Sequence, residues 1–226
     1  MLTANGLTFS YNRKPLLEGL SFTAAPGECV VLAGPNGSGK STALSLIAGV
    51  LKPDAGSVSV SGRIGYVPQG IALFEDMSVA DNLAFFADLA GVKPPKELAF
   101  GVGRFLKKKV GSLSGGTKKR VSLVCALLGD PENLLFDEPC TGLDVQYRDE
   151  LAALILQLKK EGRCILYVGH ETSEFAAFYD RMVFLGNGTP QVLEKADLSG
   201  TSGNFIEETT KLDSAFRALC AACPKL

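Results

Sequence analysis

GPNGSGKST, from Gly34 to Thr42, fits the pattern G-x-x-x-x-G-K-[ST] without departure. Gly34, Gly37 and Gly39 let a backbone wrap a phosphate, with Pro35, Asn36 and Ser38 between them. Lys40 would reach further phosphate oxygens, and Ser41, followed by Thr42, would offer a hydroxyl to Mg²⁺. A second anion site stands downstream in LSGGTKKR, where Ser114 caps a helix that begins with Gly115 and Gly116. The N–H groups at such a start lack intrahelical partners and sit at the positive end of the helix dipole. Two phosphate cradles in a chain of 226 residues demand an explanation. NLLFDEP adds the acidic element: Asp137 to hold Mg²⁺ through water, and Glu138 to orient or deprotonate an attacking water. Two carboxylates after a strand are ordinarily a loop face; with a phosphate loop upstream they become catalytic candidates.

The positioning elements follow from the apolar pattern. CVVLA, LLF, CILYV and MVFL are short continuous apolar runs, as in strands buried on both faces of a parallel sheet, whereas residues 2–11 and 57–67 alternate as half-buried strands do. The phosphate loop lies between the CVVLA strand and a helix over 40–49. The single histidine, His170, follows CILYV, and Gln69 ends a strand in YVPQG between Pro68 and Gly70, which mark a hinge. Ligands of such sheets bind at the carboxyl ends of the strands, and this places His170 in the site although a lone histidine is ordinarily structural. The helix begun at Ser114 puts Val121, Val124, Cys125 and Leu128 on one face, and a helix over 145–161 stops at Gly162. Between Gly70 and Gly111 no buried strand appears; Ser78-x-x-Asp81 is a capping box for a helix through Ala90. The expectation is an α/β fold: a core over 1–69 and 112–190, a helical insertion over 70–111, and a tail over 191–226 with Leu212, Phe216 and Leu219 on one helical face.

Composition removes other classes. With 46% hydrophobic and 21% charged residues the chain reads as globular, and a net charge of −1 implies no nucleic-acid partner. The runs Lys107–Lys109 and Lys118–Arg120 read as solvated faces. No signal peptide is read at the N-terminus, and no apolar run reaches the ~20 residues of a membrane span. Six cysteines follow no framework spacing and read as free thiols; Cys220 and Cys223 form a C-x-x-C pair without two further ligands for zinc.

The ordered set GPNGSGKST, YVPQ, LSGGT, LLFDEP, TGLD and YVGH resembles the ATP-binding subunit of ABC transporters over about residues 1–190. The resemblance implies a P-loop NTPase core of RecA-like form with a mostly parallel sheet, an N-terminal antiparallel β subdomain and an inserted helical subdomain, together one ABC ATPase domain over 1–226. It implies ATP and Mg²⁺, with Lys40 as the P-loop lysine, Gln69 as the Q-loop glutamine reaching metal and water, and Asp137 and Ser41 on the metal. Glu138 becomes the catalytic glutamate, His170 the switch histidine, Asp144 the D-loop aspartate and Tyr11 the ring stacked on adenine. It also accounts for the second cradle: two subunits pack head to tail, and the serine of one signature closes over the partner's ATP. A homodimer, a separate transmembrane permease subunit touched by Leu73, Phe74 and Phe85, and a place on the inner face of the cell membrane follow as expectations. YVPQGIALFEDMSVADNLAFF with LSGGTKKR is similar to subunits of ABC-2 type exporters, including drug and haem exporters. Thr117 departs from the family's glutamine, and Cys140 from its common threonine. A soluble ABC-type ATPase of a non-transport complex shares these motifs and stays as the alternative; a small-molecule kinase would lack LSGG and the final histidine.

Overall fold

The computed structural model describes residues 1–186, 190–195 and 205–221, with side chains of the last segment from residue 209. Cys223 lies outside the described residues. Four short apolar runs form the centre of a six-stranded sheet. Strands β3 (Cys29–Ala33), β6 (Asn133–Asp137) and β7 (Cys164–Val168) are buried at every residue, which continuous apolar runs require. With β5 (Ile64–Val67), β8 (Arg181–Phe184) and β9 (Gln191–Glu194) they give the order β5-β6-β7-β3-β8-β9, parallel except for the antiparallel edge pair β8/β9. Residues 191–194, expected in a tail, therefore extend the main sheet.

A second sheet packs β2 (Lys14–Ala24), β1 (Leu2–Tyr11) and β4 (Ala55–Val60) in antiparallel order. The β1/β2 turn consists of Asn12 and Arg13, both with positive φ (50° and 65°), the two-residue geometry whose twist matches that of the flanking strands. The alternating stretch 57–67, read as one pattern, divides at Ser61–Arg63: β4 joins the antiparallel sheet and β5 the parallel one.

Helices α1 (Lys40–Ile47) and α4 (Val145–Lys160) pack on the parallel sheet, the latter capped by Asp144, which accepts from Tyr147 N at 2.8 Å. Helix α2 (Val79–Ala90) carries the expected capping box, and α3 (Gly115–Leu127) starts at Ser114, whose Oγ accepts from Thr117 N. Residues 70–111 hold α2 and short 3₁₀ turns but no strand. Val79, Leu83, Val102, Val110, Val121 and Val124 form a small core that joins this segment to α3. At the amino end of β5, Arg63 Nη1 donates to Ala90 O (3.3 Å) and Gly129 O (3.1 Å), tying together the carboxyl ends of α2 and α3. After the short α5 (Thr172–Phe175), α6 (Phe205–Ala221) buries Leu212 and packs Phe216 and Leu219 on the main core.

Candidate functional site

The strand order puts the candidate residues side by side. Adjacent strands β5, β6, β7 and β3 end, respectively, before Gln69, at Asp137 and Glu138, before His170 and before the glycine loop. All four segments leave the carboxyl edge of one parallel sheet, where ligands of open α/β folds bind.

The loop between β3 and α1 is shaped by contacts that only glycine tolerates. Gly34 has φ 145°, and a Cβ there would sit 2.1 Å from Leu185 O. Gly39 caps α1 in the left-handed region (φ 94°), and a Cβ would meet Leu17 of β2 at 2.8 Å. The antiparallel sheet thus supports the loop directly. Lys40 is buried, and its Nζ donates to Gly34 O and Pro35 O, both at 2.9 Å. Burial lowers its pKa, an effect opposed by Glu138 and Asp137. Among the described residues the buried Ser38 hydroxyl has no hydrogen-bond partner, which suits a loop shaped for a polar ligand.

Ser41 Oγ donates to Asp137 Oδ1 at 3.0 Å, which joins the helix start to the acidic strand end. Asp137 is 2% exposed, and desolvation raises its pKa although the Ser41 hydrogen bond opposes the shift. Glu138 takes a left-handed backbone (φ 50°), costly for a residue with a side chain and characteristic of functional turns. Its carboxylate is gripped on three sides. Gln69 Nε2 donates to Oε2 at 2.8 Å, Thr141 Oγ1 to the same oxygen at 3.3 Å, and His170 Nε2 lies 2.6 Å from Oε1.

A cavity of about 350 Å³ opens over this cluster. Asn36, Gly37, Gly39 and Lys40–Thr42 form one wall, and Gln69, Glu138 and His170 the other. Leu16 of β2 also lines it, a position the sequence does not mark because a leucine in a strand ordinarily belongs to the core. Tyr11 is outside the lining: its ring stands at the hairpin end, half exposed, edge-on to Phe9 with centroids 4.9 Å apart. Ser114, Gly115 and Gly116 are outside it as well, and so is Asp144, whose carboxylate caps α4. Ser114 Oγ sits 2.9 Å from Thr117 Oγ1, so the residue in the place of glutamine contacts the capping serine.

One expectation is corrected here. Lys118, Lys119 and Arg120 are not a solvated face: Lys118 pairs with Glu75, Arg120 with Glu150 and the Tyr147 ring, and Lys119 Nζ donates to Glu138 O (3.2 Å) and Thr141 O (2.9 Å). Gln69 donates through its amide nitrogen to Glu138, and its carbonyl oxygen is the atom that the expected metal contact would use. Cys140 is buried, which raises its thiol pKa, an effect opposed by Tyr167 OH, which donates to its sulfur at 3.5 Å.

Chemically, the arrangement offers a backbone cradle and a lysine for a polyphosphate. A serine and a carboxylate oxygen stand together for a hard cation, and a carboxylate oriented by an amide and an imidazole can polarise water.

The family model described as ABC transporter matches residues 17–141. The linearmycin resistance ATP-binding protein of Bacillus subtilis is 33% identical, covering 93% of this chain and 75% of that protein. The Nod factor export ATP-binding protein I of Burkholderia pseudomallei is 36% identical over 83% of this chain and 70% of its own length. A solved structure of the ATP binding subunit of an ABC transporter superposes with a TM-score of 0.81, at 27% identity, over 93% of this chain and 98% of that one. A glycine loop, acidic strand end, glutamine and histidine gathered at one sheet edge, in a chain with these relatives, belong to the ABC transporter family, and the chain is one of its ATP-binding, ATP-hydrolysing subunits.

Proposed function

We propose that two copies of this chain bind two ATP between them, each nucleotide held by Gly34–Thr42 of one copy and covered by Ser114–Gly116 of the other, with Asp144 beside that interface. One observation carries the reading: the cavity is lined by Asn36–Gly37, Gly39–Thr42, Gln69, Glu138 and His170, while the second cradle, capped by Ser114, lies outside its lining. A helix start that would satisfy phosphate but does not face its own chain's phosphate site suits a two-fold arrangement. Tyr11, exposed at the hairpin end, is free to stack on adenine from the side of β1.

The donor set fits Mg²⁺. Ser41 Oγ and Asp137 Oδ1 are hard oxygens 3.0 Å apart, and Mg²⁺ in phosphate sites takes one or two carboxylates, with phosphate and water completing its shell. Bound there, Mg²⁺ would neutralise phosphate charge. Lys40 would bind the terminal phosphates, and Glu138, held by Gln69 and His170, would orient and accept a proton from water.

The partner that turns hydrolysis into movement is a separate membrane subunit. Among the described residues no helix is long and apolar enough to cross a membrane. Phe74 and Phe85 are exposed and packed edge-to-face with centroids 4.9 Å apart, and Leu73 lies half-buried beside them; this patch, close in sequence to Gln69, is the contact surface. The names of the two relatives, one for resistance and one for export, favour an exporter at the inner face of the cell membrane. Isolation of the tagged chain from detergent-solubilised membranes tests this. A polytopic protein should co-purify, and a wholly soluble complex would refute the transporter role.

A further inference from the structure

Lys119 stands on α3, five residues beyond the Ser114 cap, yet its ammonium is spent on a different element. It donates to Glu138 O at 3.2 Å and Thr141 O at 2.9 Å, the two carbonyls that bracket the turn Glu138-Pro139-Cys140-Thr141. Lys118 and Arg120 beside it meet carboxylates instead. The turn needs such a hold. Glu138 begins it in a left-handed conformation, anchored on its other side by Glu138 N donating to Val168 O of β7 at 3.0 Å. From within the turn, Thr141 Oγ1 reaches back to the Glu138 carboxylate. The lysine is half-buried, and burial lowers its pKa against the opposing influence of Cys140, Glu138 and Glu174. A partly desolvated ammonium with two carbonyl acceptors makes stronger bonds than one in water.

We propose that Lys119 is a positioning residue: it locks the Glu138–Thr141 turn to the helix that carries Ser114, and so fixes the direction in which the Glu138 carboxylate points. This rests on the ATPase dimer proposed above. In that dimer the helix covering the partner's nucleotide and the glutamate serving its own are joined through one side chain.

The experiment compares the full chain with Lys119→Met and Lys119→Arg, measuring steady-state ATP turnover, ATP affinity by equilibrium binding, and thermal melting. Methionine keeps the stem and removes the donors. Its kcat is expected to fall about tenfold or more, with ATP affinity within about twofold of wild type, because Lys119 touches no phosphate-binding group. Arginine can donate to both carbonyls and should restore kcat to within about threefold of wild type. An unaltered kcat in Lys119→Met, a loss that arginine fails to rescue, or a fall in melting temperature that accounts for the lost activity would each overturn the role. A wild-type chain that does not hydrolyse ATP would overturn the functional reading itself, whereas an active wild type with an equally active Lys119→Met overturns the positioning role alone.

Discussion

His170 Nε2 lies 2.6 Å from Glu138 Oε1, so the residue two positions beyond β7 and the one that follows β6 meet over the carboxyl edge of the sheet. Gln69 holds the other oxygen of the same carboxylate. Replacing that carboxylate by an amide keeps the shape and removes the proton acceptor. Glu138→Gln is therefore expected to bind ATP through the intact loop while turnover falls by about a hundredfold or more. ATP-held dimers should accumulate on sizing chromatography; a variant that stays monomeric under saturating ATP would contradict the scheme.

Asp137 supplies a pH test. Its burial raises the folded-state pKa above the unfolded value, so ionisation costs stability: the penalty is absent at low pH and grows as pH rises from the unfolded value near ~4 through the folded one. An asparagine side chain in its place cannot ionise. In chelator, Asp137→Asn should melt above wild type at neutral pH, with the gap closing as the buffer is acidified, and ATP turnover should be lost. Equal melting curves at every pH would reject a strained carboxylate here.

The two cradles can be separated by complementation. Lys40→Ala removes the cation seated against Gly34 O and Pro35 O, and Ser114→Ala removes the cap of α3. Each variant alone should be inactive. If Ser114 serves the partner, an equal mixture with free exchange makes about half the dimers mixed and leaves about a quarter of all sites whole. Recovered ATP turnover is the expected result, and a mixture no better than its components would place the second cradle outside the reaction.

Asn82 gives a test of stability away from the chemistry. It is fully buried on α2, accepts from Phe74 N at 2.9 Å, and donates to Phe74 O and Ser78 O at 3.0 Å each. Asn82→Ala strands those backbone groups and should cost about 1–3 kcal/mol in urea unfolding. An unchanged midpoint would mean that water replaces the side chain.

The site was legible in sequence because each part is a residue type bound to a strand end: apolar runs locate the strands, and Gly, Asp-Glu, Gln and His mark where they stop. What escaped lacks such a mark. Strand β2 follows the turn Asn12-Arg13, whose left-handed backbone is achieved without glycine, the usual signal of a hairpin. The break in 57–67 is a change of sheet at Ser61–Arg63 that leaves the polar-apolar alternation undisturbed. Lys119 escaped for another reason: its acceptors are backbone carbonyls, which every residue possesses, so no pattern of side chains distinguishes it from a solvated lysine.

Arg63, bonded to carbonyls at the carboxyl ends of α2 and α3, pins that corner. Both helices run outward from it, one toward Phe74 and the other from Ser114, and each spans about 20 Å at 1.5 Å per residue. A rotation of about 10° about such a pin carries the far ends through about 3 Å, roughly one hydrogen-bond length. The amplitude of any swing is thus smallest at the amino end of β5 and largest where the helices begin.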